Sequence, residues 1–117
     1  MRPYVSLRGR REFALTMRRG AVVSTPALTL YALAPRDARP AAPKVGVIVT
    51  RKVGTAVLRN RVRRRCKAIL ERVLTPADPR WYVVACRPSA ASTPFAELRR
   101  QLSGAIPDAH RARKRSA

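Results

Sequence analysis

From Arg59 to Lys67, six of nine side chains are cationic, and five of those six are arginines. A guanidinium fork pairs bidentately with phosphate oxygens, so this stretch offers polyanion binding more than a merely solubilising charge. An ordinary solvated helix face interleaves signs, yet Glu71 is the single acid between Asp37 and Asp78. The groups that protein-based catalysis needs are scattered by comparison. His110 is the sole histidine and reads as a solvated residue in a basic tail. The six acids, Glu12, Asp37, Glu71, Asp78, Glu97 and Asp108, fall singly along the chain, and no phosphate-cradling glycine loop is present. Cys66 and Cys86 show no CxxC spacing and are expected to be buried free thiols, not a disulfide or a metal pair. No catalytic residue and no metal ligand is expected in the chain itself.

The cations need an element to hold them. Apolar residues recur through the same stretch at Leu58, Val62, Cys66, Ile69 and Val73, a helical period. At 100° per residue they occupy a sector roughly 80° wide, which gives the helix a seam to pack. Arg59, Arg63 and Lys67 climb one flank with Asn60 and Arg64 beyond them, while Arg61, Arg65 and Arg72 lie on the other. Thr55, after Gly54, is the expected N-cap.

Upstream, Arg10 to Arg19 predicts a short helix with Phe13, Ala14 and Met17 on one face and Gly20 to stop it. Residues 1–8 read as irregular. Ala21 to Ala34 predicts a short strand, a break at Ser24-Thr25-Pro26, and a longer strand from Ala27. Its alternation puts Leu28, Leu30 and Ala32 on the core face and Tyr31 on the other. A proline-bearing connection, residues 35–43, leads to a buried strand from Lys44 to Thr50, in which Gly46 marks either a close backbone approach or nothing. After the basic helix, Thr75-Pro76-Ala77-Asp78-Pro79 is a turn, Trp81 to Arg87 a strand, and Thr93-Pro94 the N-cap and N1 of a last helix. Phe95, Leu98, Leu102 and Ile106 carry that helix to Pro107, and residues 108–117 read as a basic tail that orders on binding. The expected organisation is one domain, 1–107, followed by the tail.

Composition agrees with a polyanion partner. Lys and Arg total 26 against 6 Asp and Glu, a net charge of +20 with a pI near 11.9. Neutralisation by nucleic acid relieves that self-repulsion, and an anionic membrane surface is the weaker candidate. No apolar run approaches the ~20 residues of a spanning helix, and the first residues lack the apolar core of a secretory signal. An intracellular, cytoplasmic protein is expected. Charge alone does not choose between RNA and DNA.

The run Val45-Gly-Val-Ile-Val-Thr-Arg-Lys-Val-Gly-Thr-Ala-Val-Leu-Arg-Asn-Arg-Val-Arg-Arg resembles the signature of the protein subunit of bacterial ribonuclease P. Leu7 with Glu12-Phe13, Leu30-Tyr31 and Ala85-Cys-Arg-Pro resemble further parts of that family, so that about 100 residues are covered. The resemblance implies an α+β fold: a small two-layer α/β sandwich of order α-β-β-β-α-β-α with a left-handed βαβ crossover, as in a ribosomal small-subunit protein domain. It implies an accessory subunit of a tRNA 5′-maturation endoribonuclease, in which a catalytic RNA with bound Mg²⁺ does the chemistry. Arg51, Lys52, Arg59, Asn60, Arg61, Arg63, Arg64 and Lys67 are then expected to contact the catalytic RNA. A cleft bearing Phe13, Met17, Tyr31 and Arg87 is expected to take the single-stranded 5′ leader of precursor tRNA. Met17 stands where the family usually has a second Phe, and Arg65 and Cys66 where it usually has aliphatic residues. The alternatives are a ribosomal-type or RNA-chaperone protein, and a protein-only nuclease relying on Glu12 or Asp37. Neither a membrane nor a small-molecule substrate is expected.

Overall fold

The computed structural model describes residues 2–35 and 42–112. One five-stranded sheet runs β1 (Val5–Ser6), β4 (Lys44–Ile48), β5 (Trp81–Cys86), β3 (Leu28–Leu33), β2 (Ala21–Ser24) in spatial order. The β1–β4 and β4–β5 pairs are parallel, and β5–β3 and β3–β2 are antiparallel. Parallel neighbours need a crossover, and β4 reaches β5 through α2 (Ala56–Val73). α1 (Gly9–Arg19) precedes β2, and α3 (Phe95–Arg111) closes the chain. Apart from β1, the order is the expected α-β-β-β-α-β-α.

Strand alternation sorts the side chains into two faces. Leu28, Leu30, Val45, Tyr82, Val84 and Cys86 join Val62, Cys66, Ile69 and Leu70 of α2 and Leu98, Leu102 and Ile106 of α3 in one core. α1 lies across the opposite face. There Gly46 lets the Phe13 ring settle on the sheet, since a Cβ at Gly46 would fall 2.3 Å from both Cε1 and Cζ of that ring. The close-approach reading of Gly46 is therefore the right one. Gly54 serves a turn instead. At φ 150° it leads the chain out of a single 3₁₀ turn, Arg51–Val53, towards the start of α2.

The structure corrects several boundaries. Residues 1–8 are not irregular throughout, because β1 pairs with β4, and Tyr4 and Leu7 are buried. A two-residue strand has no period to detect. The apolar seam of α2 is wider than expected: Leu70, outside the 80° sector, is fully buried, while Leu58 and Val73 are only half-buried. On α1, Thr16 is the fully buried residue and Ala14 is exposed. Thr16 satisfies its hydroxyl by donating to the Glu12 carbonyl at 2.8 Å. At α3, Pro94 takes the cap position, and Thr93 donates instead to Ser89 O at 2.8 Å, closing a 3₁₀ turn at Pro88–Ala91.

α3 also runs through Pro107 to Arg111, past the expected end. Pro107 is exposed, and the residues beyond it gain partners. Ala109 is buried, and His110 Nε2 lies 2.7 Å from the Tyr82 hydroxyl. His110 is thus no tail residue. Tyr82 donates to Asp78 Oδ2, Arg80 Nη1 donates to Asp78 Oδ1 at 3.0 Å, and the buried Asp78 ties the 75–79 turn to the end of α3. Residues 36–41 and 113–117, including Asp37 and the rest of the expected tail, lie outside the described residues.

Candidate nucleic-acid interface

Thr55 caps α2 as its sequence position suggests, its hydroxyl accepting from the Leu58 amide at 3.3 Å. The cap fixes the rotation of the first turn, and the buried seam fixes the rest. Asn60, Arg61 and Arg64 are exposed, and Arg59, Arg63, Arg65 and Lys67 are half-buried along the flanks. Arg51 and Lys52, both exposed, stand in the 3₁₀ turn just before the helix. The ion pairs among the described residues join Lys44 to Glu12, Arg80 to Asp78, Arg100 to Glu97, and Arg111 to Asp108, and His110 Nε2, 3.6 Å from Asp78 Oδ2, forms a further pair only when protonated. None of the eight cations from Arg51 to Lys67 takes part in one of these pairs. Arg63 instead donates to the Asn60 side chain at 2.9 Å, and Arg59 keeps a buried Nε with no hydrogen-bond partner. This surface holds concentrated charge that has not been spent on internal carboxylates, which is what a phosphate backbone requires.

The exposed side of α2 is shallowly concave where Val57, Asn60, Arg63, Arg64 and Lys67 meet. Val57 is 68% exposed there, an apolar contact among cations. Sequence reasoning passed it over. Its position outside the apolar sector of the helix is the signal that could have flagged it.

The second group lies on the α1 face of the sheet. Register aligns Val22, Tyr31, Val83 and Gly46 in one row across four strands. Phe13 sits over the Gly46 end of that row, Met17 follows one turn along α1, and Tyr31 stands two strands away on β3. All three are half-buried, over a floor that includes the fully buried Val83. Arg87 is exposed beyond β5, and its Nη2 donates to Thr29 Oγ1 at 3.3 Å, on the same face as Tyr31. The structure thus brings Phe13, Met17, Tyr31 and Arg87 to one face of the sheet, where the expected cleft would lie, with Thr29 as a further residue of that face. Strand alternation two positions before Tyr31 could have identified Thr29.

On this face α1 is held by Glu12. Its carboxylate accepts from the Arg8 amide at 2.5 Å and from Lys44 Nζ at 2.9 Å, and Lys44 in turn lies 5.0 Å from the Trp81 ring centroid. Burial alone raises the Glu12 pKa, but the Arg8 amide and the Lys44 charge outweigh it and the net shift is downward. Glu12 is an ionised anchor of α1, a poor match for the nuclease role. Among the described residues no three His, Cys, Asp or Glu side chains converge as metal ligands. No helix among them is long and apolar enough to cross a membrane.

Comparison with known proteins agrees with this geometry. A family model for ribonuclease P matches residues 1–110. The ribonuclease P protein component of Beutenbergia cavernae is 39% identical over 96 residues, spanning 81% of this chain and 79% of the relative. The Staphylococcus aureus RNase P protein superposes with a TM-score of 0.75 at 18% identity, covering 89% of this chain and 94% of that one. The Thermotoga maritima RNase P protein gives 0.74 at 23% identity, with 88% and 96% covered. At those identities the two structures speak for the fold, and the sequence matches speak for the family. The chain belongs to the ribonuclease P protein family, and its role lies in tRNA 5′ processing with the RNase P RNA.

Proposed function

We propose that the chain grips two RNAs with two separate surfaces. Arg51, Lys52 and the cationic face of α2, with Arg59, Asn60, Arg61, Arg63, Arg64 and Lys67, hold the catalytic RNA. The cleft of Phe13, Met17, Tyr31 and Arg87 holds the single-stranded 5′ leader of precursor tRNA. The observation that carries this reading is the separation of eight cations outside the described ion pairs from the half-buried Phe13, Met17 and Tyr31 on the other face of the sheet.

Each surface suits its partner physically. Arginines on a capped helix match a folded RNA backbone, whereas a base stacked on an aromatic ring gains ~1–3 kcal/mol with little sequence demand. Tyr31 offers such a ring, Met17 adds an adaptable apolar contact, and Arg87 meets the adjoining phosphate. Four carboxylates, Glu12, Asp78, Glu97 and Asp108, are each engaged by a cation. The proposal accordingly places Mg²⁺ and bond cleavage on the RNA and assigns the protein to binding, in the cytoplasm.

The test is precursor-tRNA cleavage at low Mg²⁺ by protein alone, by cognate catalytic RNA alone, and by both, with leader length varied. Cleavage confined to the mixture and improving with leader length is expected. Arg59→Ala with Arg61→Ala should weaken assembly with the catalytic RNA more than leader binding, and Tyr31→Ala should do the reverse. Equal effects of both changes in both assays would sink the division of labour.

A further inference from the structure

Cys66 and Cys86, the only two cysteines of the chain, lie with their sulfurs 3.7 Å apart. One is on α2 and the other is the last residue of β5, twenty residues away in sequence. Both are free thiols. We propose that this pair is an oxidative modification site, forming a reversible intramolecular disulfide when the protein meets a peroxide.

The geometry is close to that of a bond. A disulfide has an S–S length of about 2.05 Å, so the sulfurs must close by about 1.7 Å. Rotation of a cysteine side chain towards another staggered position, with a small shift of α2 over the sheet, can supply that approach. The pair is also chemically unequal. Cys66 is fully buried, whereas Cys86 keeps 8% of its surface open at the end of the sheet. The hydrogen bond with Cys66 lowers the pKa of Cys86 against the opposing effect of burial, with the nearby charge of Arg63 adding to the lowering, while the same hydrogen bond and burial raise that of Cys66. Cys86 is the nucleophile and Cys66 the resolving thiol.

The steps balance. The Cys86 thiolate attacks one peroxide oxygen, the O–O bond breaks, and hydroxide leaves to become water, which places a sulfenic acid on Cys86. Cys66 Sγ then attacks the Cys86 sulfur: the S–S bond forms, the S–O bond breaks, and the hydroxyl leaves with the Cys66 proton as a second water. Two thiols have lost two electrons and two protons, and the peroxide has been reduced to two waters. In a reducing compartment such a bond is transient, as expected of a redox-responsive site and not of a structural one. Its location gives it reach. Cys66 lies one turn from Arg63 on α2, and Cys86 is followed directly by Arg87, so the bond would tie the cationic helix to the strand end that leads into Arg87.

The experiment uses the full chain, reduced, desalted and exposed to hydrogen peroxide without denaturant. Trypsin, cutting after Lys67 and Arg80, separates the cysteines, so a linked product appears as a joined peptide. The expected product is a monomer about 2 Da lighter, with the two peptides joined and separated again by dithiothreitol. Two thiols still open to alkylation after unfolding, dimers linked between chains only, or sulfinic and sulfonic acids without a disulfide would each overturn the proposal. Cys66→Ala should leave a sulfenic acid on Cys86 that dimedone traps, and Cys86→Ala should slow peroxide reaction at Cys66 at least about tenfold. The reverse order of reactivity would refute the assigned roles. The mapping on the unaltered chain stands even if either variant folds poorly.

Discussion

Replacing Gly46 with alanine tests whether the cleft wall rests where the structure puts it. The added Cβ would sit 2.3 Å from Phe13 Cε1 and Cζ and 3.2 Å from Leu7 Cδ1. Carbon atoms pack at about 3.5–4.0 Å, so the ring must retreat by roughly 1.2–1.7 Å and α1 must lift or repack. Overpacking of that kind costs about 1–3 kcal/mol, and the better fit of alanine than glycine to a strand returns about 0.5–1 kcal/mol. The expected net loss is about 1–2 kcal/mol, which at about 4 °C per kcal/mol lowers Tm by about 4–8 °C. The decisive assay is a double-mutant cycle with Phe13→Ala, read by thermal and urea unfolding. Without the ring the new methyl group has room, so Gly46→Ala in that background should be stabilising by about 0.5–1 kcal/mol, a coupling of about 1–3 kcal/mol that equals the overpacking cost. An equal loss in both backgrounds would show that Phe13 does not lie on Gly46, and no loss in either would show that α1 does not press on the sheet.

Three further outcomes follow from named contacts. His110 has its pKa lowered, mainly by burial and then by Arg80, with Asp78 opposing, so between the lowered value and 6.5 the unfolded chain binds the extra proton. Stability should be full above pH 6.5 and fall as the pH drops from there through the lowered value, and His110→Gln should flatten that slope in unfolding curves measured across the window. Thr55→Ala removes the cap of α2 and should cost about 1 kcal/mol by urea unfolding, with a smaller loss for Thr55→Ser. Arg59→Ala with Arg61→Ala should flatten the salt dependence of catalytic-RNA binding, measured as log K against log salt, by roughly 0.7–0.9 for every phosphate no longer neutralised.

What the sequence discloses and what it hides divide along physical lines. The strand at Lys44, α2 with its Thr55 cap, and the outward placement of Tyr31 all rest on local period or capping chemistry, which a single chain displays directly. Placing Phe13, Met17, Tyr31 and Arg87 in one cleft came only through family resemblance, since the chain separates Phe13 from Arg87 by more than seventy residues. The features that escaped are pairings made by topology. Asp78 and His110 look like isolated polar residues until α3 continues past Pro107 and delivers the imidazole to Tyr82. Cys66 and Cys86 look independent until the crossover lays α2 over β5. Leu70 was lost for a related reason: its helical neighbours on that flank are Arg59 and Arg63, and only the packing of α2 against α3 and the sheet makes the position apolar.

The same topology would let one small chain keep the two proposed surfaces apart. β4 and β5 are parallel neighbours, so they end at the same edge of the sheet, and the chain leaves β4 into Arg51–Val53 and β5 into Arg87 and Pro88–Ala91. These two 3₁₀ turns touch. Cations therefore run from the start of α2 through Lys52 and Arg51 towards Arg87 at the mouth of the cleft, over an edge where none of them enters a described ion pair. Beyond that edge the surfaces diverge, the helix on the core side of the sheet and the cleft on the other. A leader lying in the cleft would thus pass from stacking on Tyr31 to phosphate contacts at the edge where the catalytic-RNA surface begins. Reversing the charge of Arg87 should then weaken leader binding more than assembly with the catalytic RNA, because Arg87 itself donates to Thr29 on the Tyr31 face, whereas Arg51 and Lys52 stand on the neighbouring 3₁₀ turn. Comparable losses at both surfaces on Arg87→Glu would mean that the two form one continuous site.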